Sequence, residues 1–143
     1  MKKIQEIRIA VISAPFHKEV TDNLEKHCWA TFKEKGLADN QIDIVHVPGA
    51  LEIPLMAKKL AQKGYDAIIA LGAIHKGKTT HFELISTECA RGCMDVSLQF
   101  EIPVIFEVLT VMDIADALER ATRDKENKGT EAALTALEMI NLM

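Results

Sequence analysis

The chain has no surplus of positive charge. Its 143 residues hold 17 Lys and Arg against 21 Asp and Glu, a net charge of −4, so the basic stripe of a nucleic-acid binder is not expected. No apolar run is long enough to span a membrane, and no membrane partner is expected. The start, MKKIQEIRIAV, sets Glu6 and Arg8 among its apolar residues and passes straight into a predicted strand, so it does not read as a signal peptide. Cysteine is scarce: Cys28, Cys89 and Cys93 are odd in number and lack Cys-x-x-Cys spacing. They suit a reducing cytoplasm and read as small apolar packing residues. Neither Gly-x-Gly-x-x-Gly nor a Walker loop follows the first predicted strand, which argues against dinucleotide and nucleoside triphosphate sites. The absence of a Gly-x-Ser-x-Gly elbow and of a strand-end cysteine argues against nucleophilic catalysis. His75 and His81 are six apart without cysteine company, so no metal site is expected. No linker, low-complexity tract or repeat divides the chain, which reads as one domain over 1–143.

What is present is a packed globular composition, 48% hydrophobic and 27% charged, at a length that buries about two-thirds of the unfolded surface. Predicted strands run from Ile7 to Ser13, Gln41 to Val47, Asp66 to Leu71 and Pro103 to Leu109. Predicted helices run from Lys18 to Lys35, Leu51 to Gln62, His81 to Phe100, Asp113 (as cap) to Thr122, and Lys128 to Leu142. Strand and helix alternate, so a parallel sheet with helices on both faces is expected. On the third helix Phe82, Ile85, Cys89, Cys93, Val96 and Phe100 make one apolar stripe, while Leu84, Met94 and Leu98 lie opposite. The fifth helix is apolar over much of its circumference. Four strands cannot cover all of this surface, and self-association is the economical solution.

The loop 71–83, LGAIHKGKTTHFE, is the most informative stretch. It joins a buried strand to a helix start through glycines, lysines, threonines and histidines. Unpaired N–H groups at a helix start suit phosphate. Lys76 and Lys78 add charge, Thr79 and Thr80 add hydroxyls, and His81 titrates near neutral pH. His81 reads either as a helix-end residue or as a proton carrier. Other loops at the same sheet edge carry Phe16, a staple onto the first helix or a flat face for a planar ring, and Glu52, a dipole-complementing residue or an acceptor for polyol hydroxyls. Phe106 is most simply core. Arg120 is by default solvated, and Lys128 opens a helix whose dipole it opposes, which favours a nearby anion.

Three motifs, Pro48-Gly49-Ala50-Leu51-Glu52-Ile53-Pro54, Gly77-Lys78-Thr79-Thr80-His81-Phe82 and Asn127-Lys128-Gly129-Thr130-Glu131-Ala132-Ala133, resemble in order and spacing those of the 6,7-dimethyl-8-ribityllumazine synthases of riboflavin biosynthesis. The resemblance covers nearly the whole chain. It implies an α/β fold, a three-layer α/β/α sandwich on a four-stranded parallel flavodoxin-like sheet of order 2-1-3-4. It implies a transferase that condenses 5-amino-6-(D-ribitylamino)uracil with 3,4-dihydroxy-2-butanone 4-phosphate, releasing phosphate and water without a cofactor. It implies homopentamers or 60-subunit shells of twelve pentamers, with riboflavin synthase as a candidate partner. By position, His81 would be the general acid/base and Phe16 would stack on the pyrimidine. Ala50, Leu51 and Glu52 would bind the ring and ribityl chain, and Ala73, Ile74 and His75 the pyrimidine. Lys78 and Thr79 would meet the phosphate. Phe106, Arg120 and Lys128 would come from the neighbouring subunit. The chain departs from the family pattern at Pro15-Phe16-His17 in place of Arg-Phe-Asn, and at Leu51 in place of a bulkier aromatic. It departs again at His75-Lys76-Gly77-Lys78, in place of an Ile-Arg-Gly-Ala type of stretch, and at Glu107, where glycine is frequent.

A flavodoxin-type flavin module would need a phosphate loop where Ser13-Ala14-Pro15-Phe16 stands. A signalling receiver would need acidic strand ends where Ser13 and Leu71 stand. A non-catalytic shell protein would have no need of His81, Arg120 and Lys128 together.

Overall fold

Alternate residues of one strand belong to different cores. The computed structural model describes residues 2–78 and 80–143, so the expectation for Thr79 lies outside the described residues. In β1 (Ile9–Ser13), Ile9 and Val11 join one apolar cluster, whereas Ala10 and Ile12 join another. The same alternation runs through β3 (Ala67–His75), with Ile69 and Leu71 on one side and Ile68, Ala70 and Ile74 on the other. With β2 (Ile42–His46) and β4 (Val104–Val111) they form a parallel sheet of order β2-β1-β3-β4. The first face is covered by α1 (Lys18–Glu34), α4 (Ile114–Thr122) and α5 (Lys128–Leu142). The second is covered by α2 (Ile53–Ala61) and α3 (His81–Phe100). This is the three-layer α/β/α arrangement expected from the alternation of elements. Among the described residues no helix is long and apolar enough to cross a membrane.

The third strand does not stop at Gly72. It runs four residues past Leu71 to His75, paired with β4 as far as His75 opposite Val111. Gly72 is simply a strand residue packed under Val108 and Ala14: a Cβ there would make ordinary contacts, at 3.4 Å from Val108 Cγ1 and 3.7 Å from Ala14 Cβ. The connection to α3 shrinks accordingly to 76–80. At the other boundaries short 3₁₀ turns, Pro15–His17 and Ala50–Glu52, lead into α1 and α2, so the second helix begins at Ile53 rather than Leu51. The first strand begins at Ile9; Ile7 is buried just ahead of it.

The two apolar helices behave differently. Cys89, Cys93 and Val96 of α3 are buried on the sheet, while Leu84, Met94 and Leu98 on the far side are 60%, 59% and 71% exposed. In α5, by contrast, Ala132, Ala133, Ala136 and Ile140 are buried and Leu137 partly so; only Leu134 and Met139, at 40% and 37%, look outward along the expected stripe. The surface read as unpartnered on this helix is mostly taken up by α1. Gly129 makes the approach possible, because a Cβ there would collide with the Leu24 carbonyl oxygen. Asn127 fastens the same corner. It is buried, its amide donates to the carbonyls of Ala121 and Arg123 at 2.9 and 3.0 Å, and its Oδ1 accepts from the N–H groups of Gly129 and Thr130 at 2.9 and 3.1 Å. All three cysteines are buried and reduced, and burial pushes the Cys28 thiol up to about 12, so it carries no thiolate at neutral pH.

Glu107, opposite Leu71 in the β3–β4 ladder, is a carboxyl that the fold strongly disfavours as an anion. Burial pushes its pKa up from 4.5 to about 7; Lys128 opposes the shift and Glu131 adds to it. The unfolded chain therefore loses this proton first, and stability falls as pH rises from about 4.5 to about 7. Glu107→Gln, which keeps the shape of the protonated acid, should gain about 1–2 kcal/mol at pH 8 after screening by solvent, and close to nothing at pH 4. Denaturant titrations at both pH values check this; equal gains would assign the effect to packing. Gly129→Ala should cost about 1–3 kcal/mol through the forced separation of α5 from α1, despite the better helix propensity of alanine. An unchanged midpoint would show that the corner can relax.

Candidate active site

In a parallel sheet of this order, successive connections leave β1 and β3 towards opposite sides, and the crevice that opens at their C-terminal ends is where ligands bind. A cleft of about 380 Å³ lies there, on the α2/α3 side. Its walls come from four separated segments. The turn after β1 supplies Phe16 and His17, and the turn after β2 supplies Gly49, Ala50, Leu51 and Glu52. The end of β3 supplies Ala73, Ile74 and His75, and the start of α3 supplies His81, Phe82 and Ile85. Backbone bonds across the sheet edge hold these segments in register. The N–H of Ala14 donates to Leu71 at 3.0 Å, that of Val47 to Ser13 at 2.9 Å, and that of Lys76 to Val111 at 2.9 Å.

Phe16 is 79% exposed, too open to act as a staple on α1, and stands at the mouth of the cleft. Its ring meets His17 edge to face, with centroids 5.1 Å apart and planes at 88°; His17 in turn meets His75 at 6.3 Å and 83°. Burial, and then the charge of the neighbouring His75, hold His17 below the ordinary histidine range. Leu51 is about half exposed, and Glu52 leads into α2 without a side-chain capping bond. Ala73 and Ile74 are buried as the floor. His81 is the first residue of α3 and faces the cleft. Lys78 is exposed in the loop just before it, and Lys76 lies 3.7 Å from Glu83.

The chain thus brings Phe16, Ala50, Leu51, Glu52, Ala73, Ile74, His75 and His81 to one cavity. It does not bring Phe106, Arg120 or Lys128 there. Phe106, on β4, packs into the α2/α3-side cluster. Arg120 is in the last turn of α4, and Lys128 opens α5 with its Nζ 2.8 Å from Glu131 Oε2; both helices cover the opposite face of the sheet. The anion that Lys128 wants is, within the chain, Glu131. His17 is the polar lining residue that reading the sequence overlooked, although its place beside Phe16 in a strand-end turn was a usable signal. Among the described residues no group of three or more His, Cys, Asp or Glu could hold a metal ion.

A larger concavity of about 530 Å³ lies at the opposite, N-terminal edge of the strands, lined by Lys2, Tyr65, Asp66, Glu101 and the last residues of α5 among others. Its charges are directed at each other, Lys2 Nζ being 2.7 Å from Asp66 Oδ1. Size alone does not make it the chemical site; the smaller cleft has the strand-end position and the histidines.

The cleft has the means to hold a planar ring against Phe16 and to move protons through an imidazole. The sequence model of the family described as 6,7-dimethyl-8-ribityllumazine synthase matches residues 6–143. That match spans the sheet, every helix and all four segments of the cleft, so this chain belongs to the lumazine synthase family, transferase-type enzymes of riboflavin biosynthesis.

Proposed function

We propose that the protein condenses 5-amino-6-(D-ribitylamino)uracil with 3,4-dihydroxy-2-butanone 4-phosphate to 6,7-dimethyl-8-ribityllumazine, releasing phosphate and water. The observation that carries this reading is the cleft in which an open aromatic face, Phe16, and the helix-start His81 meet from distant parts of the chain. The pyrimidine lies against Phe16 with His75, Ala73 and Ile74 beneath it, and the ribityl hydroxyls reach Glu52 and the Ala50–Leu51 backbone. The phosphate sits by Lys78 and Thr79. Holding both molecules in one cavity makes a bimolecular condensation nearly intramolecular. The amine attacks the ketone, an imine forms with loss of one water, and phosphate is eliminated to leave an enol that tautomerises to a carbonyl. The second amine attacks that carbonyl and closes the ring with loss of a second water. His81 gives and takes the protons of these steps. No step calls for a cofactor.

The site is completed by a second copy. Two observations support this. Phe106, Arg120 and Lys128 lie away from the cleft of their own chain, and α3 keeps Leu84, Met94 and Leu98 exposed beside the His81 end of the cleft and along the helix. A head-to-tail ring, a pentamer alone or as part of a 60-subunit shell, would bury that face and set the guanidinium of Arg120 on the phosphate of the next site.

Mixing the purified protein with both substrates should produce the lumazine absorbance; its absence in folded protein would refute the assignment. His81→Asn should slow the condensation by about two orders of magnitude while the assembly stays intact, as judged by native mass. Near-normal turnover would remove His81 from the acid/base role. The inactive variants His81→Ala and Arg120→Ala, unfolded together and reassembled, should recover roughly a quarter of the sites, the share in which both contributing chains bring an intact residue. Mixed rings without activity would rule out a shared site.

A further inference from the structure

The proposed chemistry leaves one polar side chain of the cleft without a task. His17 is the middle ring of a three-ring wall, edge to face with Phe16 at 5.1 Å and with His75 at 6.3 Å. Its backbone is fixed by the 3₁₀ turn Pro15–His17 running directly into α1, and the ring is half-buried. Neither ring nitrogen meets a hydrogen-bond partner among the described residues; only its main-chain carbonyl accepts, from Thr21 Oγ1 at 3.4 Å. An oriented imidazole whose two nitrogens are both unspent, on the wall of a cavity, can serve a ligand with both of them: one donates and the other accepts.

We propose that His17 is a further positioning residue for the ring-bearing substrate, its imidazole clamped between Phe16 and His75 and offering one donor and one acceptor to the polar edge of a planar, uncharged heterocycle. This rests on the function proposed above and adds the means by which the ring is turned to its reactive orientation on Phe16. A uracil-type ring carries amide N–H and C=O groups side by side, which matches a paired donor and acceptor.

The arrangement works only while His17 is unprotonated, because a second proton converts its acceptor into a donor. The fold favours that state. Burial disfavours the cation, and the neighbouring His75 adds to the effect. The other charged groups around it are Glu52 on the turn before α2, His81 at the start of α3, Lys78 in the loop before α3, Lys76 paired with Glu83 at 3.7 Å, and Lys18 paired with Asp22 at 2.7 Å on α1. Glu52 is the carboxylate among the cleft-lining residues.

The test is equilibrium binding of 5-amino-6-(D-ribitylamino)uracil alone, by calorimetry between pH 5 and 8, so that no turnover and no proton step at His81 enters the reading. The dissociation constant should rise as pH falls through the titration of His17, by at most about tenfold per pH unit. His17→Asn, which keeps a donor and an acceptor but cannot titrate, should abolish that rise. His17→Leu, which also cannot titrate, should bind about tenfold more weakly than the unaltered protein at pH 8, because both hydrogen bonds are lost, and the gap should narrow as pH falls. In the substrate-free protein, histidine ring resonances should show His17 titrating below 6.5, the ordinary histidine value, and moving up in His75→Asn. Binding that is independent of pH, or a rise that persists in His17→Asn, would overturn the positioning role while leaving the proposed reaction standing. No binding at any pH would overturn both.

Discussion

A strand covered by helices on both faces can carry almost no polar side chain along its length, and β3 meets that demand from Ala67 to Ile74 before ending in an exposed histidine. It supplies alternate residues to two separate cores and pairs with both β1 and β4, so neither layer of helices can be placed without it. The change from buried Ile74 to exposed His75 is also the change from the floor of the cleft to its wall. Burial of the strand sets where the floor of the cleft lies, and its end supplies the first exposed imidazole.

Side chains that close packing would exclude are accommodated at corners. Gly129 lets α5 lie on the backbone of α1, and Gly92 brings α3 against Pro54 of α2, where a Cβ would be 2.7 Å from the proline ring. Asn127 satisfies the end of one helix and the start of the next from a buried position. Glu107 is the exception, a carboxyl beside Lys128 and Glu131 whose ionisation the surroundings resist. The proposed shared site would place that cluster near a neighbour's phosphate, where the state of Glu107 bears on how much positive charge Lys128 can offer.

The cleft combines two kinds of wall. One is apolar and rigid, Ala73 and Ile74 on the sheet with Phe82 and Ile85 on α3. The other is a series of perpendicular rings on a short turn, Phe16 and His17, reaching to His75. On the proposed function, such a site would hold a flat molecule by its face and its edge with His81 beside it. The exposed apolar side of α3 runs away from this cleft, so on the shared-site reading association and catalysis depend on the same helix.

The sequence by itself was enough for the alternation of strands and helices, the four helix starts at Lys18, His81, Asp113–Ile114 and Lys128, the sheet-facing stripe of α3 and its outward-facing counterpart, because these follow from local periodicity and capping. The family motifs also lay within short windows, and with them most of the cleft residues. Contacts between distant segments decided the rest. Gly72 looks like a strand end until β4 is laid beside it, and α5 looks unpartnered until Gly129 is seen against Leu24. His17 looks like a turn residue until His75, far along the chain, arrives next to its ring. Glu107 is an ordinary carboxyl in a list of residues, and its pKa rises to about 7 only when folding takes away part of its water. Periodicity is a property of neighbours in sequence; burial, close approach and pKa are properties of neighbours in space.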